Sequence, residues 1–171
     1  FHAGFSDIPK VSLERIRRAG NNILAGHTHK DWKKDVGFRV LKIDSSNMAD
    51  VYYTPDLLEK ANMDFFVDNI KADRSSEDLL FQVMLDWGLD LSLPVITRAF
   101  NGKEFFLVDD NALVACFDGA GGVDEDFVKE LAKHRPLRVV FRDAGFKDSA
   151  VKINIEQIFK LLSPATEVKC I

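Results

Sequence analysis

The sequence predicts an α/β domain: a small mixed sheet with an antiparallel hairpin and a β-α-β-α-β parallel portion, preceded by helices. Two observations carry this. In the C-terminal half, five short apolar runs read as strands, at Val95–Phe100, Glu104–Val108, Ala112–Phe117, Leu137–Arg142 and Glu167–Ile171. Helical patterns at Asp124–Lys133 and Asp148–Leu162 link the last three of them. Asn101–Gly102 lies between the first two runs, and this pair readily takes the positive φ angles of a tight hairpin, so those strands should be antiparallel. The linking helices demand right-handed crossovers, which place the last three strands parallel.

The elements before the sheet follow from local chemistry. Ser12 can cap a first helix whose Leu13, Ile16, Ile23 and Leu24 fall near one face. Gly26–Asp35 is polar and reads as a loop. Gly37–Ile43 sets Phe38, Val40 and Leu41/Ile43 against Arg39 and Lys42, which suggests a strand, and Asp44–Asn47 is turn chemistry. Thr54 followed by Pro55 is a helix start. A clearer helix begins at a Ser75 cap, with Asp78 three residues on, and stops at Gly88. Leu79, Leu80, Phe81, Val83, Met84, Leu85 and Trp87 leave it almost no polar face, so it should be deeply buried or covered by a partner.

With 171 residues the chain can bury a sizeable core, and fourteen Phe favour a well-packed one. A net charge of -4 gives no general reason to expect nucleic acid, so a DNA contact would need a local basic patch. No apolar run approaches membrane-spanning length, and the start does not read as a signal peptide. Cys116 and Cys170 sit in strand-like runs and read as buried, reduced thiols of a cytoplasmic protein. The chain starts at Phe1 without Met, which reads as an excised fragment.

Four groups of residues are candidates for chemistry. Phe117–Gly122 is a glycine-rich turn between strand and helix, a place where backbone N–H groups can meet a phosphate. It is not GxGxxG, and Asp124, Glu125 and Asp126 read as partners of the helix dipole instead. Asp118 and Asp143, each at a strand's carboxyl end, could hold Mg²⁺, yet no nucleophile completes a site and turn-capping explains both. His27–Thr28–His29 with Asp31 has ligand-type residues but no second cluster at zinc spacing, so no metal ligand is assigned. Arg15, Arg17 and Arg18, followed by Lys30, Lys33 and Lys34, form the one dense basic region; it suits a phosphate backbone or a solvated face equally.

Glu14–Gly20 and Gly37–Asn47, then Asp68–Lys71, Asp78–Val83 with Leu85–Leu89, Asn111–Leu113, Leu137–Asp143 and Lys152–Asn154, resemble the C-terminal portion of type III restriction-modification DNA methyltransferases, the Mod subunits. The resemblance runs in the family's order over nearly the whole chain. It implies a parent that methylates adenine N6 with S-adenosylmethionine. The Asp-Pro-Pro-Tyr-type catalytic motif and the Phe-x-Gly-Ser-Gly cofactor motif are absent, so no catalytic or cofactor-binding residue carries over. The resemblance implies that residues 1–25 are the terminal helix of the methyltransferase core and 36–171 a C-terminal α/β domain. That domain would be inactive alone and serve assembly with a second methyltransferase subunit and a restriction subunit. Met84 and Trp87 are the partner-binding candidates, and Arg15, Arg17 and Arg18 the DNA candidates. The alternative is a free-standing α/β enzyme in which Asp118 and Asp143 bind a metal and act on a phosphorylated small molecule.

Overall fold

A computed structural model of the chain describes residues 4–26, 29–49 and 69–171. The chain forms two compact units, Phe1–Ile43 and Asp44–Ile171.

The first unit is built on α1 (Ile8–Ala25), which starts four residues before the sequence expectation. Asp7 rather than Ser12 is the cap: its carboxylate accepts the Lys10 backbone N–H at 2.9 Å, and Pro9 sits in the first turn where its missing N–H costs nothing. Gly20 is the one buried residue of α1, and Val36 packs over it so closely that an added Cβ would lie 3.1 Å from the Val36 Cβ. Gly37–Ile43 is not a strand: its backbone joins no strand ladder among the described residues, and Phe38, Val40, Leu41 and Ile43 are exposed. Alternation makes a strand only where a neighbour supplies the ladder, and among the described residues none does.

The second unit opens with the Asp44–Asn47 turn, which is tied to the start of the next helix. Arg74 donates to the Asp44 carboxylate at 3.1 Å and to the Ser45 hydroxyl at 3.0 Å, and Met48 bridges Ile70 antiparallel. The helix expected from Thr54 lies outside the described residues. The helix α2 (Ser76–Asp86) has the expected capping box: Ser75 Oγ accepts the Asp78 N–H, and the Asp78 carboxylate accepts the Ser75 N–H at 2.8 Å.

The sheet matches its expectation. Strands β1 (Val95–Phe100), β2 (Lys103–Val108), β3 (Leu113–Cys116), β4 (Arg138–Phe141) and β5 (Glu167–Cys170) lie in the order β1-β2-β3-β4-β5. The first two pairings are antiparallel and the last two parallel. Asn101 (φ 50) and Gly102 (φ 78) make the turn between β1 and β2, both positive as a twist-matched two-residue turn requires. Helices α3 (Glu125–Lys133) and α4 (Ser149–Leu162) carry the crossovers and are capped by Asp124 and Asp148.

Period-2 alternation divides β2, β3 and β4 between two cores. Phe105, Leu107, Val114, Cys116, Val139 and Phe141 pack against α3 and α4. Phe106, Val108, Leu113, Ala115, Phe117 and Val140 pack against α2 on the opposite face. The unit is therefore three layers, with both crossover helices on one side. α2 is less uniformly buried than its composition suggests, since Leu85 is 63% exposed.

Candidate functional site

The carboxyl ends of β3, β4 and β5 are where a parallel sheet of this kind gathers loops able to bind. Here the loops after β3 and β4 are fastened to each other. Val123 bridges Phe146 in parallel fashion, the Val123 N–H donates to the Gly145 carbonyl at 2.9 Å, and the Lys147 N–H donates to the Val123 carbonyl at 3.0 Å. Gly145 backs directly onto the Asp118 carbonyl, leaving no room for a side chain.

Asp118 and Asp143 both reach this edge, as the sequence predicted, but each is engaged locally. One Asp118 carboxylate oxygen accepts the Ala120 N–H at 2.9 Å, an Asx turn. Asp143 is ion-paired with Lys152 of α4 at 2.5 Å. Sequence reasoning missed the cations around them. The Arg142 guanidinium lies over Gly119, and the end of the Lys103 side chain lies over Gly122, with an added Cβ there 2.5 Å from Lys103 Cε and 3.9 Å from an Asp118 carboxylate oxygen. Lys103 could have been found: β2 runs antiparallel to β3, so the start of β2 lies beside the end of β3. With Lys103, Arg142 and Lys152 at the same edge, the electrostatics disfavour a divalent cation held by Asp118 and Asp143.

Burial pushes the Cys116 thiol up to about 11, so it is protonated at neutral pH. Burial also raises Cys170, whose half-buried position departs from the fully buried thiol expected. Among the described residues no three His, Cys, Asp or Glu side chains converge as a metal-binding group. His27 and Thr28 lie outside the described residues; His29 is exposed, its Nδ1 3.5 Å from Asp31.

The other candidates are placed as follows. Arg15, Arg17 and Arg18 are all exposed on α1. At about 100° per residue they spread over roughly 160° of the helix circumference, so they do not form one stripe. Arg18 is engaged with Glu14 at 2.8 Å. Met84 is fully buried in the chain's own core, which is the simple core role rather than a surface for a partner. Trp87 is half-buried and held by β4 and β5: Arg138 Cζ stands 5.2 Å and Lys169 Nζ 5.5 Å from its ring centroid. Arg138 also donates to the Trp87 carbonyl at 3.2 Å and pairs with Glu167 at 3.2 Å.

Among the described residues no helix is long and apolar enough to cross a membrane. No protein-family model matches the chain, and no curated protein matches it.

Proposed function

We propose that the chain is a non-catalytic C-terminal part of a type III restriction-modification adenine-N6 DNA methyltransferase, serving subunit assembly. The observation that carries this reading is α1. It is an amphipathic helix with Ile8, Ile16, Ile23 and Leu24 exposed and only Gly20 buried. Helices in proteins draw most of their stability from packing an amphipathic face, so the apolar side of α1 belongs against another body. The resemblance of Glu14–Gly20 to the Mod family points to the methyltransferase core as that body.

The placement of the other resembling segments supports the reading. Asp78–Val83 lies on α2, Asn111–Leu113 enters β3, Leu137–Asp143 spans β4, and Lys152–Asn154 lies on α4. These segments build a scaffold. The protonated Cys116 thiol and the ion-paired Asp143 speak in the same direction. S-adenosylmethionine and the catalytic motif belong to the parent's preceding domain. DNA is met through the parent, and the assembly partners are a second methyltransferase subunit and a restriction subunit. A cytoplasmic location goes with this role.

Two experiments test the reading. Calorimetric titration of the chain with S-adenosylmethionine should show no binding, and saturable micromolar affinity would refute the non-catalytic assignment. Deleting residues 36–171 from the parent methyltransferase should disrupt its assembly. An unchanged oligomer that still recruits its restriction subunit would sink the assembly role.

A further inference from the structure

The turn between β1 and β2 carries reactive chemistry that its conformational role does not use. Asn101 is followed by Gly102, and every other asparagine precedes a residue with a side chain. Both turn residues are exposed, and a Cβ added at Gly102 would meet nothing within 4 Å. Glycine has no side chain to shield its backbone nitrogen, so that nitrogen can reach the amide of the asparagine before it. Asparagine is a heat-labile residue for reasons of this kind. The Asp118–Gly119 pair has the same ring-forming atoms, but a carboxylate is a poorer electrophile than an amide. Its carboxylate is also tied to the Ala120 N–H at 2.9 Å, and Arg142 covers Gly119.

The folded turn holds the reacting atoms apart. Asn101 sits at φ 50, in the left-handed region where ψ is near about +47°. Ring closure needs the Asn101 Cα–C bond to rotate by roughly half a turn from there, so the hairpin must first open at its tip. β1 does little to prevent that. It lies at one end of the sheet, with Ile96 45% exposed and Thr97, Arg98 and Ala99 exposed as well. In β1 only Val95 and Phe100 are half-buried, the Phe100 ring centroid standing 6.3 Å from that of Phe127. A sheet edge with so little burial opens at the low end of a protein's local unfolding free energies.

We propose that Asn101 is a self-modification site, converting to isoaspartate and thereby releasing β1 from β2. The Gly102 backbone nitrogen gives up its proton to base and attacks Asn101 Cγ. The bond from Cγ to the side-chain nitrogen breaks, and that nitrogen takes up a proton and leaves as ammonia. Water then opens the resulting succinimide ring. Attack at Cγ leaves aspartate, and attack at the main-chain carbonyl leaves isoaspartate, with the backbone running through Cβ and Cγ. The sum is amide plus water giving acid plus ammonia, with no oxidant or reductant. Isoaspartate puts one extra atom into the backbone of a two-residue turn. The positive φ pair at Asn101 and Gly102 then no longer brings Phe100 opposite Lys103. The conversion is one-way, so the loss of the closing pair is permanent. The inference goes beyond the methyltransferase reading and stands on the hairpin alone.

Incubating the folded full chain in mildly alkaline buffer made with oxygen-18 water, then mapping its peptides by mass spectrometry, reads the site. The Asn101 peptide should convert before any other asparagine peptide, gaining the amide-to-acid mass and one heavy oxygen. Electron-transfer fragmentation should show isoaspartate among the products, and aspartate alone overturns the proposal. Gly102→Ala shields the nitrogen and should slow conversion several-fold, even though a side chain at φ 78 strains the turn. Should that variant not fold, the parent chain in urea is the reference. An Asn101 that converts in urea and stays intact in the folded chain overturns the proposal. Hydrogen exchange reads the release of β1: its amides paired with β2 should lose protection in the converted chain and keep it in Asn101→Asp, which has the charge without the added backbone atom. Equal protection in the two overturns the release.

Discussion

Replacing Gly145 with alanine probes the contact that fastens the β3 and β4 loops together. A Cβ at this position would overlap the Asp118 carbonyl oxygen, and that oxygen belongs to backbone, so no side-chain rotation relieves it. Forcing extra atoms into a packed site costs about 1–3 kcal/mol. Relief by separating the loops would break the Val123-to-Gly145 and Lys147-to-Val123 bonds, 2.9 and 3.0 Å long. Each is worth about 0.5–1.5 kcal/mol. The sum is about 2–6 kcal/mol, or roughly 8–24 °C of melting temperature at about 4 °C per kcal/mol for a domain of this size. Gly122→Ala is the internal control. Its Cβ would also crowd a neighbour, at 2.5 Å, but that neighbour is the flexible end of Lys103, which can swing into solvent. Urea denaturation followed by circular dichroism measures both. A Gly145→Ala variant within about 0.5 kcal/mol of the parent chain, the range of ordinary surface changes, would refute the argument. Equal losses in the two variants would refute it as well.

The Cys116 thiol, raised to about 11 by burial against an ordinary 9.0, keeps its proton in the folded chain after the unfolded chain has lost it. Its contribution is full below pH 9 and falls away between pH 9 and 11, by about 2–3 kcal/mol. Urea midpoints across that range should drop less steeply in Cys116→Ala than in the parent chain. Ser75→Ala removes the α2 capping box and should cost about 1 kcal/mol in the same assay. The Asp78 carboxyl is held below the usual range by the Ser75 hydroxyl and backbone N–H, so the box weakens as pH falls through the lowered Asp78 value. The Ser75→Ala deficit should accordingly shrink in acid. Trp87→Ala removes a half-buried ring flanked by Arg138 and Lys169 and should cost about 2–4 kcal/mol. Trp87→Phe should recover more than half of that, and thermal melts distinguish the two.

The C-terminal half was legible because its signals are local and agree. Asn101–Gly102 specifies a turn, Asp124 and Asp148 specify helix starts, and the apolar runs between them are the right length for strands. Gly37–Ile43 was misread for the opposite reason: alternation is only half of a strand, and its pairing partner cannot be read from the segment itself. The start of α1 was set too late because the Asp7–Pro9 signal precedes the first clear apolar repeat. At the sheet's carboxyl edge, Asp118 and Asp143 were found because each follows its own strand. Lys103 and Lys152 come from a neighbouring strand and a helix, so placing them needs the sheet register and the packing of α4. Met84 belongs to the core because the second apolar face of the sheet gives α2 something to cover.

The mixed order of the sheet also has a consequence in time. Phe100 meets Lys103 across a two-residue turn, and Val108 meets Leu113 across a short loop, so β1, β2 and β3 can pair with little chain to close. Leu113 meets Arg138 only after the chain has passed through α3, and Arg138 meets Glu167 only after α4. Each parallel pair therefore waits on ordering of a helix and its connections, while the antiparallel pairs form on the microsecond scale of hairpins. β3 is the strand common to both halves. The lower closure cost of the hairpins predicts that in refolding it is first the free edge of a three-stranded meander, with Leu113–Cys116 uncovered, and becomes an interior strand when β4 arrives. The apolar stretch from Leu113 to Phe117 is thus the segment most open to intermolecular pairing before the native fold is complete.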